Sequence, residues 1–433
     1  MKNLSVALIT LGCSKNTVES EAVCGLFVNK GYNLTNDIYS ADIIIVHTCS
    51  FIEDAQIESK NQIEKAISIK KKNKAVRVFV TGCLPQLLKD EFKNLYPEID
   101  GYTGTGGYKD IIKLIEKDSF FCNTSVAGGI TDFKKRILSS DLPLAYIKIS
   151  EGCNHKCSYC IIPQIRGKYK SRTIKSITDE AKALADFGIK ELNIIAQDTS
   201  SYGIDIYQKP SLDKLLQQLA KIKELKWIRL LYAYPSTVTK SLLDVICSNE
   251  NICNYMDIPV QHISKNILLK MYRPLNTLKI IEDIKKYFSD IVLRTSLITG
   301  FPGETKEDFK QMLNFIKQNY FEHIGIFSYS DQQTAKSFNF KNKINSKLIE
   351  ERKQILAAAQ YENVIRNNNS KIGKIYDVLI EDVGKNTTYS RAYFQAPEID
   401  NCILIPNMNL SKGTFQKVKI TKTRKYDLVG KKI

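Results

Sequence analysis

Residues 152–160 read Gly-Cys-Asn-His-Lys-Cys-Ser-Tyr-Cys and carry three closely spaced cysteines, Cys153, Cys157 and Cys160. Their spacing suits three thiolates that hold three corners of a cubane iron–sulfur cluster. A fully ligated electron-transfer cluster takes four cysteines, and no fourth cysteine stands beside this trio. The segment therefore predicts a cluster whose fourth iron is open to bind a reactant. A zinc knuckle or three buried thiols is the plainer alternative.

A second set of three cysteines lies in the first quarter of the chain. Apolar runs at residues 6–10, 42–47 and 76–81 alternate with amphipathic stretches at 19–30, 55–72 and 86–95, which predicts a parallel α/β sheet. Each apolar run is followed by a cysteine: Cys13, Cys49 or Cys83. Because parallel strands end at the same edge of a sheet, we expect these thiols to converge on a second cluster. Three small buried thiols are the alternative.

The rest of the chain predicts two further domains. Apolar runs at 145–150, 191–196, 227–232, 255–259, 291–298 and 323–328 alternate with helical stretches, which predicts a partial (β/α)6 barrel with its active face at the carboxyl ends of the strands. Short alternating strands at 375–380, 389–393, 402–405 and 415–421 predict a small C-terminal β-barrel. We therefore expect an α/β protein with domains at 3–120, 139–367 and 369–433, the first two joined through residues 122–141.

Composition limits the class of protein. With 433 residues, 43% of them hydrophobic, the chain can bury more than one core. Its 11 cysteines are spread over a long chain, which favours metal ligation in a reducing compartment, the cytoplasm, over disulfides. No apolar run is long enough to cross a bilayer, so no membrane partner is expected. The net charge of +17 would attract RNA or the ribosome surface, with a general codon bias towards lysine as the alternative explanation of the charge.

Six further short stretches of sequence, here called strings, are distributed over the whole chain and add to the two cysteine sets. They are Leu-Gly-Cys-Ser-Lys-Asn at 11–16, Cys-Ser-Phe-Ile at 49–52, Ile-Ile-Pro-Gln-Ile-Arg-Gly-Lys-Tyr-Lys-Ser-Arg at 161–172, Ala-Gln-Asp-Thr-Ser-Ser-Tyr-Gly at 196–203, Asp-Ile-Pro-Val-Gln-His-Ile-Ser at 257–264 and Ala-Pro-Glu-Ile-Asp at 396–400. With them the chain resembles the radical S-adenosylmethionine (SAM) methylthiotransferases, in the branch that modifies an aspartate of small-subunit ribosomal protein S-twelve. It departs from that branch at Ser14 and Asn401.

The resemblance implies a methylthiotransferase N-terminal domain, a radical-SAM core and a C-terminal TRAM domain. It implies two 4Fe–4S clusters, one on Cys153, Cys157 and Cys160 that cleaves SAM, and an auxiliary one on Cys13, Cys49 and Cys83 that delivers sulfur. A SAM-derived radical would remove hydrogen from the β-carbon of the aspartate, and a second SAM would supply the methyl group. No catalytic side chain beyond the cluster ligands is expected.

Two further groups of residues are predicted to contact SAM or the target, each with a structural role as the alternative. Tyr159, Gln197 and Gly300 are expected to line the SAM pocket, with ordinary packing or turn roles as the alternative. The basic residues of 166–172 are expected to attract the target or the SAM carboxylate, with a solvated loop as the alternative.

The implied partners are ribosomal protein S-twelve, free or on the ribosome, a reduced electron donor and a sulfur donor. Two other functions stay open at this point. One is methylthiolation of a tRNA adenosine with the same clusters. The other is a non-enzymatic iron–sulfur or RNA-binding protein in which the basic β-domain dominates.

Overall fold

The computed structural model describes residues 4–107, 110–116, 121–124, 135–139 and 143–433. The chain divides into two compact units. The first comprises residues 1–140, 148–180 and 330–335, and the second comprises residues 141–147, 181–329 and 336–433. The predicted connection at 122–141 lies largely outside the described residues. Within the described residues, no helix combines the length and the apolar character that crossing a membrane requires.

The N-terminal part of the first unit is a parallel sheet covered by helices. Its strands are β1 (Ser5–Thr10), β2 (Asn33–Leu34), β3 (Ile43–Thr48), β4 (Arg77–Gly82), β5 (Gly101–Thr103) and β6 (Phe121–Asn123), and its helices are α1 (Ser14–Asn29), α2 (Glu53–Lys72), α3 (Cys83–Leu88), α4 (Glu91–Leu95) and α5 (Asp110–Glu116). The strand order is β2-β1-β3-β4-β5-β6, and every neighbouring pair is parallel. The predicted parallel α/β domain is thereby confirmed.

Three details of this domain differ from the prediction. The helix expected over 86–95 is two short helices, α3 and α4, because Lys89 between them has a left-handed φ of 48° that no helix continues through. Helix α1 begins at Ser14, directly after Cys13, and not at residue 19. Strands β2, β5 and β6 were missed because each has only two or three residues.

The middle of the chain contains a second parallel sheet, the helices around it and a separate sheet of two short strands. Its elements are β7 (Leu144–Lys148), β8 (Ser150–Glu151), α6 (Ile162–Arg166), β9 (Lys170–Ser171), α7 (Ile174–Asp186), β10 (Glu191–Ile195), α8 (Leu212–Leu219), β11 (Trp227–Leu230), α9 (Lys240–Ser248), β12 (Ile252–Asp257), α10 (Lys265–Lys270), α11 (Thr277–Tyr287), β13 (Val292–Thr299), α12 (Lys306–Lys317), β14 (His323–Ser328) and α13 (Ser346–Asn369). The sheet has the order β14-β13-β12-β11-β10-β7, and the pairs from β10 to β14 are parallel. These six strands confirm the predicted partial barrel.

The C-terminal residues form a closed five-stranded barrel, as predicted. Its strands are β15 (Ile375–Val383), β16 (Thr387–Ala392), β17 (Ile403–Pro406), β18 (Phe415–Arg424) and β19 (Asp427–Lys432), in the order β15-β16-β17-β19-β18. Strand β19 was missed because its sequence, Asp-Leu-Val-Gly-Lys-Lys, has a glycine and two lysines and little apolar alternation.

Within the second unit, buried charges fasten this barrel to the parallel sheet. Arg391 of β16 donates to Glu191 of β10 at 2.5 Å, and Arg229 of β11 donates to the same carboxylate at 2.7 Å. Asp400 accepts a hydrogen bond of 2.7 Å from the hydroxyl of Tyr255. Because removing one partner of a buried ion pair costs about 3–5 kcal/mol, these contacts hold the barrel firmly on the sheet.

Candidate functional site

Three cysteines follow strands that end at the same edge of the first sheet: Cys13, Cys49 and Cys83. The strands that precede them, β1, β3 and β4, are neighbours in the sheet, and Thr48 of β3 pairs with Gly82 of β4. Cys13 is the N-cap of α1, where the partial positive charge of a helix terminus favours an anion. Cys49 and Cys83 are buried, and Cys13 is exposed. One edge of the sheet therefore collects three thiols from three consecutive strand ends.

Short polar side chains tie these strand ends together. The side-chain amide of Asn16 donates to the carbonyl oxygens of Leu11 at 2.7 Å and Thr48 at 3.1 Å. The hydroxyl of Thr48 donates to the carbonyl of Thr81 at 2.7 Å. Ser59 of α2 accepts from the backbone N–H of Cys49 at 3.0 Å. The loops that carry the thiols are thus fixed by buried hydrogen bonds, which pre-organises the sulfur atoms.

The electrostatics of the thiols show that they influence one another. Burial raises the pKa of the Cys49 thiol, and it raises the pKa of Cys83 to about 12. The positive charge of Arg166 lowers the pKa of both, and the negative charge of Cys13 raises both. The three side chains follow neighbouring strands of the sheet, so the charge on one acts on the others. Three neighbouring thiols are the donor set that an iron–sulfur cluster takes, so the residues fit the implied auxiliary cluster.

Gly12 is in contact with one of these thiols. A Cβ at this position would lie 2.7 Å from Cβ and 3.0 Å from Sγ of Cys49, and the residue has a φ of +93°. Only glycine therefore leaves room for the Cys49 side chain at this turn.

Replacing Gly12 by alanine is expected to displace Cys49 and to reduce the iron held by the auxiliary thiols. Gly31→Ala is the matched control, because Gly31 has a φ of +82° and no atom within 4 Å of an added Cβ. Both variants carry the backbone strain of about 1–2 kcal/mol, and only Gly12→Ala adds the clash. Iron and sulfide per chain after anaerobic reconstitution measure the difference. Equal iron in the two variants would contradict the close packing of Gly12 on a ligand.

Arg166 joins the cysteine loop of residues 152–160 to the auxiliary thiols inside the first unit. Its Nη2 donates to Cys83 Sγ at 3.3 Å, and its Nη1 donates to Glu19 Oε1 at 2.5 Å. Lys148 donates to Glu19 at 2.5 Å and to Glu151 at 2.6 Å. Burial opposes the ionisation of Glu19, but Arg166 and Lys148 hold the pKa of its carboxyl well below the usual range. The two carboxylates balance the two cations in this buried network.

For Arg166 the alternative of a solvated loop is wrong, whereas the attraction of the basic residues of 166–172 for the target or the SAM carboxylate stays a prediction. Arg166 is only 5% exposed, and its charge is directed towards Glu19 and Cys83. No local signal in the sequence marks Arg166 as buried, because its partner Glu19 is 147 residues away.

The loop of Cys153, Cys157 and Cys160 is closed by backbone contacts. The antiparallel pair of β8 and β9 brings its two ends together, and the N–H of Cys153 donates to the carbonyl of Gly167 at 3.1 Å. A Cβ on Gly152 would lie 2.3 Å from the carbonyl oxygen of Lys168, so this turn too requires glycine.

All three thiols of this loop are partly exposed, and the N–H of Ile162 points at the sulfur of Cys160 at 3.5 Å. A partly exposed trio with a backbone donor fits a cluster that keeps one iron open to a small molecule. Among the described residues, no three His, Cys, Asp or Glu side chains form the tighter ligand group that a single metal ion takes. A cubane cluster instead places its thiolates at separate corners.

The three residues predicted to line a SAM pocket fall in both units. Tyr159 lies in the first unit, is partly buried and directly precedes Cys160 in the sequence. Gln197 and Gly300 lie in the second unit, after β10 and β13. Gly300 has a φ of +84° and its N–H donates to Glu304 at 2.8 Å, so it forms a fixed turn at that strand end. The shared pocket stays a prediction.

Three family models match consecutive parts of the chain. Residues 5–104 match the model described as uncharacterized protein family UPF0004, residues 147–316 match the radical SAM superfamily, and residues 372–433 match the TRAM domain.

Proteins of known name resemble the chain over nearly its whole length. A protein of Endomicrobium trichonymphae named ribosomal protein uS12 methylthiotransferase RimO is 48% identical over 430 residues, which cover 98% of each chain. A protein of the same name from Clostridioides difficile (strain 630) is 42% identical over 99% of this chain and 98% of its own length.

A solved structure shares the fold. The radical S-adenosylmethionine methyltransferase TsrM from Kitasatospora setae superposes with a TM-score of 0.55, covering 76% of this chain and 75% of that chain. Its sequence is 14% identical, so the likeness concerns the fold alone.

Proposed function

Because the chain belongs to the radical SAM methylthiotransferases, in the family of the ribosomal protein uS12 methylthiotransferases RimO, we propose that it attaches a methylthio group to an aspartate of uS12. This is the small-subunit protein S-twelve expected from the sequence. The cofactors are S-adenosylmethionine and 4Fe–4S clusters. The observation that carries the proposal is the convergence of Cys13, Cys49 and Cys83 at three adjacent strand ends, beside a separate trio in the 152–160 loop.

Each cysteine trio has its own part in the proposal. When bound, the cluster on Cys153, Cys157 and Cys160 supplies the electron that cleaves SAM, and the cluster on Cys13, Cys49 and Cys83 supplies the sulfur atom. The protein's part is to hold the thiolates, to leave one position open in the partly exposed loop, and to bury Cys49 and Cys83 of the other set. No side-chain base is needed, because a β-CH₂ next to an ionised carboxylate is scarcely acidic and homolysis avoids its deprotonation.

The choice of uS12 over a tRNA adenosine rests on the named relatives and on the branch-specific strings. One of these strings, residues 396–400, has a structural part in the second unit. Asp400 accepts from the N–H of Ala396 at 2.8 Å and lies 3.4 Å from Arg294, and the hydroxyl of Tyr146 donates to Glu398 at 3.1 Å. Its acidic residues therefore serve the packing of the β-barrel. Residues 396–400 can therefore distinguish the two branches of the family without contacting uS12.

The proposal includes a reduced electron donor, a sulfur donor that refills the auxiliary cluster, and a cytoplasmic location. Newly made or ribosome-bound uS12 is found in that compartment, and its reducing conditions keep the thiols free for iron.

Mass spectrometry after anaerobic incubation of the reconstituted protein with SAM, reductant and either uS12 or unmodified tRNA tests the proposal. We expect the mass of a methylthio group on one aspartate of uS12, and no change in the tRNA. Protein reconstituted without iron is the control. Modification of a tRNA adenosine alone would overturn the proposed substrate and leave the chemistry intact.

A further inference from the structure

One segment of the chain serves both cysteine sets. Helix α6 begins two residues after Cys160, and its last residue, Arg166, ends within 3.3 Å of the Cys83 sulfur. The contact lies entirely within the first unit. The loop predicted to bind the SAM-cleaving cluster thus also places a cation on a thiol of the other set.

The guanidinium of Arg166 is held in position from several sides. Besides its bond to Glu19, its Nη2 donates to Asn16 Oδ1 at 2.7 Å. Asn16 is itself anchored to the carbonyls of Leu11 and Thr48, next to the loops of the auxiliary thiols. A planar guanidinium fixed in this way keeps its N–H directed at one sulfur, and it stays charged at any physiological pH.

The energetic consequence follows from the charge on the ligands. Hydrogen bonds to the sulfur atoms and the net charge around a cluster set its reduction potential. In a buried, weakly polar environment both effects are strengthened. A cation that donates to a ligand sulfur stabilises the more negative, reduced cluster and so raises the potential.

We propose that Arg166 is a positioning residue of the auxiliary centre, which orients the Cys83 thiolate, strengthens retention of the cluster and raises its reduction potential. This rests on the proposed function, because it takes Cys13, Cys49 and Cys83 as the auxiliary ligands. Glu19 and Asn16 support this role by fixing the guanidinium.

The test uses the full chain with Cys153, Cys157 and Cys160 all replaced by alanine, so that only the auxiliary thiols can hold a cluster. Into this parent we introduce Arg166→Gln, which removes the cation, or Arg166→Lys, which keeps the charge balance with Glu19 and loses the planar fork. Arg77→Lys is the matched control. Arg77 donates to the carbonyl of Ile115 at 2.6 Å from the opposite end of β4, about 20 Å of strand away from Cys83.

Midpoint potentials from a redox titration followed by electron paramagnetic resonance give a readout that a purely structural role would not move. We expect the potential to shift to more negative values in Arg166→Gln and by a smaller amount in Arg166→Lys, with Arg77→Lys unchanged. Competition with an iron chelator should show about 10–100-fold weaker retention in Arg166→Gln.

The outcomes separate the inference from its premise. Parent-like potentials in the Arg166 variants would overturn the role of Arg166 and leave the auxiliary centre in place. If Arg166→Gln does not fold, the midpoint potential of Arg166→Lys still tests the role of Arg166. A parent that binds no cluster would overturn the auxiliary assignment, and this inference with it.

Discussion

Replacing Cys157 by alanine is expected to abolish the reductive cleavage of SAM. The product that the SAM-derived radical leaves after it takes up hydrogen is 5′-deoxyadenosine, called deoxyadenosine below. Its formation should fall to the level of iron-free protein. The loop of residues 152–160 offers only three thiols, one for each of three cluster corners. With one removed, a second iron loses its protein ligand, and the cluster no longer has a single open position for SAM. Chromatographic measurement of deoxyadenosine after anaerobic incubation with SAM and reductant gives the result.

Cys247→Ala is the matched control for this variant. Cys247 is exposed on helix α9 and belongs to neither cysteine set. We expect the control to keep full SAM cleavage, because it removes a thiol without touching a cluster loop. Deoxyadenosine formation at the wild-type rate in Cys157→Ala would show that Cys157 is not a ligand.

The placement of the cysteines at strand ends could be predicted because it depends on local pattern. Each apolar run is long enough to be recognised as a strand, and Cys49 and Cys83 follow theirs directly. The rule that parallel strands end at one edge then brings distant residues together without further information. The same reasoning gave the fold class that the structure confirms, with two parallel sheets and a closed β-barrel. The role of these thiols as cluster ligands stays a prediction.

Arg166 could not be predicted in the same way. Its neighbours Lys168, Lys170 and Arg172 make the segment look like an exposed basic loop. Its actual partners, Glu19 and Cys83, are 147 and 83 residues away in the sequence. No local pattern states which distant carboxylate will neutralise a buried cation. The pairing of Arg391 with Glu191, 200 residues apart, has the same cause.

Replacing Cys49 by alanine is expected to spare deoxyadenosine formation and to abolish methylthiolation. Cys49 lies at the edge of the N-terminal sheet with Cys13 and Cys83, and it is not one of the three cysteines of the 152–160 loop. The SAM-cleaving centre therefore keeps all three of its thiols in this variant, whereas the auxiliary centre loses one of three. Parallel assays of deoxyadenosine and of modified uS12 on the same reconstituted sample separate the two activities.

Cys24→Ala is the control in the same domain. Burial, with a further contribution from Glu21, raises the pKa of Cys24 to about 11, so its thiol stays protonated and inert at neutral pH. We expect this variant to keep both activities. Methylthiolation that persists in Cys49→Ala would refute the auxiliary role. Loss of deoxyadenosine formation in Cys49→Ala, with Cys24→Ala active, would instead show that the two centres do not work independently. The proposal that each trio holds its own cluster predicts that Cys49→Ala still forms deoxyadenosine and no longer methylthiolates uS12.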